Sequence, residues 1–218
     1  MAHVAVIYYS ATGNVYALAR AVAEGAEAAG ADVRLRRVRE IAPPETVARN
    51  PKWVAHLEAT KDIPEATLDD LDWANAAIFG SPARFSNVTY QLKRFIDEAG
   101  ALWMQGRLAG KVVSGFTSAS TPHGGHESAL IAMYNSFYNW GGIIVPPGYA
   151  DPVQYKAGTP FGATHMSGGG AVPGEIELAS ARFQGRRVAE VTATLVAGGA
   201  LLRSTEDAEE SAASDTSV

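Results

Sequence analysis

The chain has 218 residues, 47% of them hydrophobic and 19% charged, with a formal net charge of −5. That length suits one domain with a sizeable core, and the acidic balance gives no electrostatic footing for nucleic acid or an anionic membrane. Cysteine is absent, which removes disulfides, thiolate metal sites, iron–sulfur clusters and a cysteine nucleophile together.

Met1-Ala2-His3 leads directly into the apolar run Val4-Ala5-Val6-Ile7-Tyr8-Tyr9, so no signal peptide is expected. No apolar run reaches transmembrane length, and the cytoplasm is the default location. The first strand ends in Ser10-Ala11-Thr12-Gly13-Asn14, where a helical pattern begins and continues to Ala29. A buried strand passing through a small, hydroxyl-rich turn into a helix suits one compact phosphate. The free N–H groups of the first helical turn point outward, and the helix dipole favours negative charge. The turn lacks the lysine of a nucleoside-triphosphate loop and the glycine spacing of a dinucleotide fold. A small-residue turn that binds nothing is the competing reading, since these are ordinary turn and cap residues.

Val15, Leu18, Ala19, Val22 and Ala26 give the first helix one apolar stripe, and Gly30 closes it. Ala31 to Val38 reads as a second strand, whose arginines suggest an edge with a wet face. Residues 39–75 read as irregular, punctuated by Pro43, Pro44, Pro51 and Pro64, with a short helix at 67–72. Asp69, Asp70 and Asp72 there read as a solvated helix start. The third strand, Ala76 to Phe79, ends in a loop running from Gly80 to Phe85, and a helix is expected from Asn87 to Ala99. Leu102-Trp103-Met104 follows in a loop. Lys111 to Thr117 is the fourth strand, Ser118 to Gly125 a third polar loop, and a helix runs from His126 to Asn139. Ile143 to Val145 is the fifth strand. Residues 147–175 form a long Gly- and Pro-rich excursion before a last helix from Glu175 to Ala197.

Strands alternating with helices five times predict an α/β fold, a doubly wound five-stranded parallel sheet with helices on both faces, and 2-1-3-4-5 is the flavodoxin-like one of the common strand orders of such sheets. Ligands of such sheets sit beyond the carboxyl ends of the strands, where strand order reverses. The loops after strands one, three and four are the small, polar ones, and this order places them side by side. Residues 1–203 read as one domain and residues 204–218 as a disordered acidic tail. His123 and His126 have no third partner at metal-ligand spacing and read as solvated loop or helix-cap residues, and His165 as an interface or surface residue.

With these segments in order, the chain resembles the WrbA-type NAD(P)H:quinone oxidoreductases of the flavodoxin-like superfamily. The matching stretches are Val6 to Ser10 with Gly13, Ala19 to Gly25, Phe79 to Asn87 and Gly100 to Trp103. Ile144 to Tyr149, Gly158 to Thr164 and Ala181 to Gly185 continue the match, which covers residues 3–198.

The resemblance implies FMN as cofactor and NADH or NADPH as electron donor. It implies a ping-pong two-electron reduction of quinones to hydroquinones, with no catalytic side chain in covalent chemistry and no metal. It assigns the FMN phosphate to Ser10, Ala11, Thr12, Gly13, Asn14 and Val15. It assigns the flavin ring to Pro82, Ala83, Arg84 and Phe85 on one side and to Ser118, Ala119, Ser120, Thr121, Pro122, His123 and Gly124 on the other. Arg84 reads equally as a solvated loop arginine and as a counter-charge to a reduced ring. Trp103 would wall the substrate pocket from a neighbouring subunit of a homotetramer; on its own it reads as capping a core edge.

The chain departs from the family pattern at four places. Thr12 stands at the family's nicotinamide-contacting tyrosine, Asn14 at a histidine, and Asn139 at a histidine near the flavin. The third loop, usually Ser-Thr-Gly-Thr-Gly-Gly, is one residue longer. These changes bear on quinone and nicotinamide preference. The alternative reading is a flavodoxin-type electron carrier with no substrate of its own, which would need a strongly acidic docking face.

Overall fold

The computed structural model describes residues 1–201. The expected acidic tail, 204–218, lies outside the described residues.

Alternation dictates the centre of the fold. β1 (His3–Tyr8) sends Val4, Val6 and Tyr8 to one face and Ala5 and Ile7 to the other, all with at most 1% exposure. A strand buried on both faces needs a layer of helices on each side. On one face lie α1 (Asn14–Ala28) and the C-terminal α9 (Glu175–Ala197). On the other lie α5 (Tyr90–Glu98) and α7 (His126–Trp140), whose Phe137 and Trp140 pack on Phe79.

The remaining strands are β2 (Asp32–Arg37), β3 (Ala76–Pro82), β4 (Val112–Ala119) and β5 (Ile143–Ile144). They are all parallel, in the order β2-β1-β3-β4-β5. That is the expected flavodoxin-like order. The excursion adds a sixth strand that periodicity did not reveal. Within it lie α8 (Pro152–Ala157) and β6 (Thr164–Met166), and β6 pairs with the end of β4 from Thr117↔Thr164 to Ala119↔Met166. β5 pairs with β4 only at Val112 and Val113, which leaves the upper half of that edge free for β6.

Residues 39–75 are more regular than expected. They hold α2 (Pro44–Ala48), α3 (Pro51–Ala59) and α4 (Leu68–Trp73). Pro44 and Pro51 occupy first helical positions, where the missing N–H costs nothing. Leu102 to Met104, expected in a loop, belongs to a short helix, α6 (Gly100–Met104).

Of the aspartate cluster, Asp69 is exposed in the first turn of α4 as expected, but Asp70 is not solvated. Asp70 is 4% exposed and accepts from Arg34 and Arg36 of the β2 edge at 3.1 and 3.0 Å, while completing a capping box with Thr67. Burial alone would raise its pKa, but the Thr67 hydrogen bonds and the two guanidinium groups hold it below the usual carboxylate range. Asp72 pairs with Arg107.

α1 and α9 approach closely because each offers a glycine to the other's backbone. A Cβ on Gly25 would stand 1.9 Å from the Arg182 carbonyl oxygen, and one on Gly185 1.9 Å from that of Val22. Neither neighbour is a side chain that can swing away, so an added methyl must force the helices apart. Gly185→Ala is expected to cost about 3 kcal/mol, at the upper end for overpacking. Urea unfolding reads this directly, and an unchanged midpoint would show that the helix pair tolerates separation.

Candidate functional site at the carboxyl ends of the strands

Each of the three loops beyond the sheet has its own local geometry. After β1, Tyr9 donates its N–H to Gly80, keeping the chain against β3 for one more residue. The turn then tightens, with the Ser10 hydroxyl accepting from the Gly13 N–H at 3.1 Å. Gly13 caps α1 at φ 99°, a left-handed conformation that favours glycine. No side chain caps α1, and its first turn carries no carboxylate. Among the described hydrogen bonds, none takes up the N–H groups of Ala11, Thr12, Asn14, Val15 or Tyr16. The loop therefore presents several free donors at the positive end of a 15-residue helix.

β3 runs three residues further than expected, so Gly80, Ser81 and Pro82 are strand residues. Beyond them Arg84 and Asn87 exchange both backbone hydrogen bonds, at 2.8 and 3.0 Å. Between them Phe85 has φ 51° and Ser86 φ 61°. Positive φ at both central residues is the geometry of a type I′ turn, which Asn and Gly ordinarily fill. Holding two L-residues there costs on the order of 1 kcal/mol each, and such strain gathers at ligand sites. The turn leaves the Phe85 ring wholly in solvent.

β4 likewise extends to Ala119. The third loop ends at Gly125, which caps α7 at φ 84°. A Cβ there would lie 2.5 Å from the Ser86 hydroxyl, so the second and third loops touch.

These loops enclose a cavity of about 200 Å³. Ser10, Ala11, Thr12, Asn14 and Val15 line it from the first loop, Pro82 and Arg84 from the second, and Ser118, Ala119 and Ser120 from the third. Its lining holds one charged side chain, the Arg84 guanidinium, and no carboxylate.

Several expected residues stand elsewhere. Gly13 supplies the cap and not the wall. Ala83 packs beneath, against Ala119 and Ala129. Thr121, Pro122 and His123 project into solvent, and Gly124 closes that turn on the Thr121 carbonyl. Trp103, on α6, is 52% exposed and donates its indole N–H to the Asn139 carbonyl at 2.9 Å, while the Asn139 amide donates to Asn135. Trp103 and Asn139 thus adjoin each other and lie off this chain's own cavity. His126 and His165 are buried, not solvated or at the surface. His126 bonds the His165 carbonyl, and His165 sits between the Ala171 carbonyl and Glu177, tying the excursion to α7 and α9. Among the described residues no group of three potential ligands could hold a metal ion.

Three lining residues escaped the sequence reading: Asn50, Trp53 and Ser167. The first two had a legible signal, an Asn-Pro pair that starts a helix. Asn50 accepts from the Lys52 N–H at 3.1 Å and caps α3. Trp53 donates its indole N–H to Glu40 at 2.9 Å. Glu40 also accepts from the Tyr9 hydroxyl at 2.7 Å, from the Gln91 amide at 2.9 Å, and from the N–H groups of Ile41 and Ala42. Burial would raise the Glu40 pKa, but these donors outweigh it and hold the carboxyl below its ordinary value. The Tyr9 hydroxyl is pushed up, by burial first and by Glu40 second. Ser167 had no such signal, because β6 alone brings it to the cavity.

Comparison with known proteins agrees with this geometry. The family model for NADPH-dependent FMN reductases matches residues 2–155. A protein of Deinococcus radiodurans named NAD(P)H dehydrogenase (quinone) is 46% identical over 193 residues, covering 88% of this chain and 96% of that one. A protein of the same name from Sinorhizobium fredii is 43% identical over 202 residues, covering 89% and 99%. In three dimensions the chain is similar to a flavodoxin, a WrbA-like protein from Agrobacterium tumefaciens, with a TM-score of 0.63 at 24% identity over 89% of this chain and 99% of that one. An archaeal flavodoxin gives 0.59 at 20% identity, covering 88% and 99%. With the family model and both relatives spanning most of its length, the chain belongs to the NADPH-dependent FMN reductase family.

Proposed function

We propose that this protein is an FMN-dependent NAD(P)H:quinone oxidoreductase. The observation that carries the reading is the first loop, whose uncapped helix end and free N–H groups open into a carboxylate-free cavity. Those features fit a flavin that ends in a phosphate. The names of the two relatives supply the substrates: a reduced nicotinamide nucleotide and a quinone.

Held by these loops, FMN would supply the redox chemistry that couples NAD(P)H oxidation to two-electron quinone reduction, in ping-pong order. The chain's residues bind and orient. Ser10 holds the loop closed by accepting from Gly13, so the N–H groups stay convergent on the phosphate. Thr12 adds a hydroxyl donor to the phosphate and faces the nicotinamide nucleotide. Pro82, Arg84 and Ser118 to Ser120 line the ring's end, where the guanidinium offsets negative charge on a reduced ring. Phe85, held outward by its turn, gives an apolar surface for a stacked substrate.

Trp103 closes the substrate slot of a neighbouring subunit in a homotetramer. Its place off this chain's cavity supports that reading. So does the apolar surface around it, where Met104 is 82% exposed and Tyr138 67%, with Ile131 one face-repeat earlier on α7. Among the described residues no helix is long and apolar enough to cross a membrane. A cytoplasmic location belongs to the same proposal.

Two measurements test these assignments. Thr12→Ala, by losing one hydrogen bond to a charged group, and Ser10→Ala, by loosening the loop that Ser10 closes on Gly13, are each expected to weaken FMN binding by roughly tenfold. Fluorescence titration reads this, and unchanged affinity in both variants would mean the phosphate sits elsewhere. Trp103→Ala is expected to keep FMN bound and to lower kcat/KM for benzoquinone by about tenfold or more through loss of the aromatic wall. Loss of flavin from that variant would make Trp103 a structural residue.

A further inference from the structure

α3 stands at one end of the cavity and is fixed at three points. At its C-terminal half the His56 ring lies against the first loop, 3.6 Å from where a Cβ on Gly13 would be and 5.6 Å from the Tyr16 ring. At its start the Lys52 ammonium lies beside the excursion, 3.2 Å from where a Cβ on Gly170 would be. Between them Trp53 is anchored by its indole N–H to Glu40, a carboxylate already held by β1's extension and α5. The helix is thus tied to the core through the Trp53–Glu40 hydrogen bond, with the His56 ring against Tyr16.

Strand order says which end it closes. In the order β2-β1-β3-β4, the segment after β2 stands on one side of the first loop, and the loops after β3 and β4 on the other. A flavin phosphate seated on the first loop must send its ribityl chain and ring toward Pro82, Arg84 and Ser118. Anything attached to the phosphate's far side must then leave on the β2 side, where Asn50 and Trp53 line the cavity.

We propose that α3, through Trp53, is the specificity-determining wall that admits FMN and excludes FAD, because it occupies the path that an adenylate joined to the phosphate would take. The inference rests on the FMN reading above but concerns residues that reading does not use. Exclusion by a built obstruction is an economical route to specificity, since it leaves the wanted ligand's own contacts untouched.

The test is a pair of titrations, FMN and FAD, against the wild-type protein, Trp53→Ala and Trp53→Phe. The wild type is expected to prefer FMN by about 100-fold or more, and Trp53→Ala to cut that ratio at least tenfold through a gain in FAD affinity. Trp53→Phe keeps a ring and loses the Glu40 bond, so it is expected to retain most of the preference. A general loss of folding would weaken both flavins together and leave the ratio standing, which separates a structural role from a wall. Wild-type protein that takes FAD as readily as FMN, or a ratio unmoved in Trp53→Ala, overturns the proposal. Failure of the wild type to bind either flavin would overturn the flavin reading itself, and this inference with it.

Discussion

The uncapped first turn of α1 is the feature on which the site depends. A helix start normally borrows an oxygen from a serine, threonine, aspartate or asparagine to satisfy its free N–H groups. Here the cap position is Gly13, which has no side chain to lend, and the nearby Ser10 hydroxyl is turned to Gly13 itself. Among the described residues, none accepts from the donors around it, next to the cavity. Asn50, Thr67 and Asp151 cap their own helices with a side-chain oxygen, whereas α5 and α7, like α1, start without one. What sets α1 apart is that its uncapped start lines the cavity directly.

Donors are useful only if they are held still. β1 fixes the loop from below, buried on both faces and paired with β2 and β3. α1 is pinned from behind by α9, where Gly25 and Gly185 let the backbones meet. α3 and Glu40 brace the outer side. The first-loop end of the cavity is thereby held by rigid elements, while the loop after β3 carries a strained turn at Phe85 and Ser86. On the proposed reading, the residues that select the cofactor stand on the β2 side of the cavity and those that meet a second substrate on the loops after β3 and β4.

Much of this was legible in the residues. Alternating apolar runs and helical stripes gave a doubly wound sheet, and its flavodoxin-like strand order selects the same three loops that their composition selects. What stayed hidden has physical causes. Pro51 reads as a breaker but serves at a first helical position, so α3 was taken for irregular chain. Thr164 to Met166 is too short for periodicity to mark, so β6 and Ser167 could not be placed. Asp70 looks like a surface carboxylate until Arg34 and Arg36 are seen beside it, and His165 looks like loop until its carbonyl and carboxylate partners are known. Trp103 was identified through resemblance alone. Its position away from its own cavity is a fact that only the fold supplies.

The most direct test of the account is oxidation of NADH and NADPH with benzoquinone by the purified protein, with and without added FMN. The account predicts turnover that requires both FMN and the quinone, with no protein partner, and the comparison identifies the preferred coenzyme. A protein that is yellow and fully loaded with FMN yet gives no turnover with either nucleotide would contradict it and leave an electron carrier in its place.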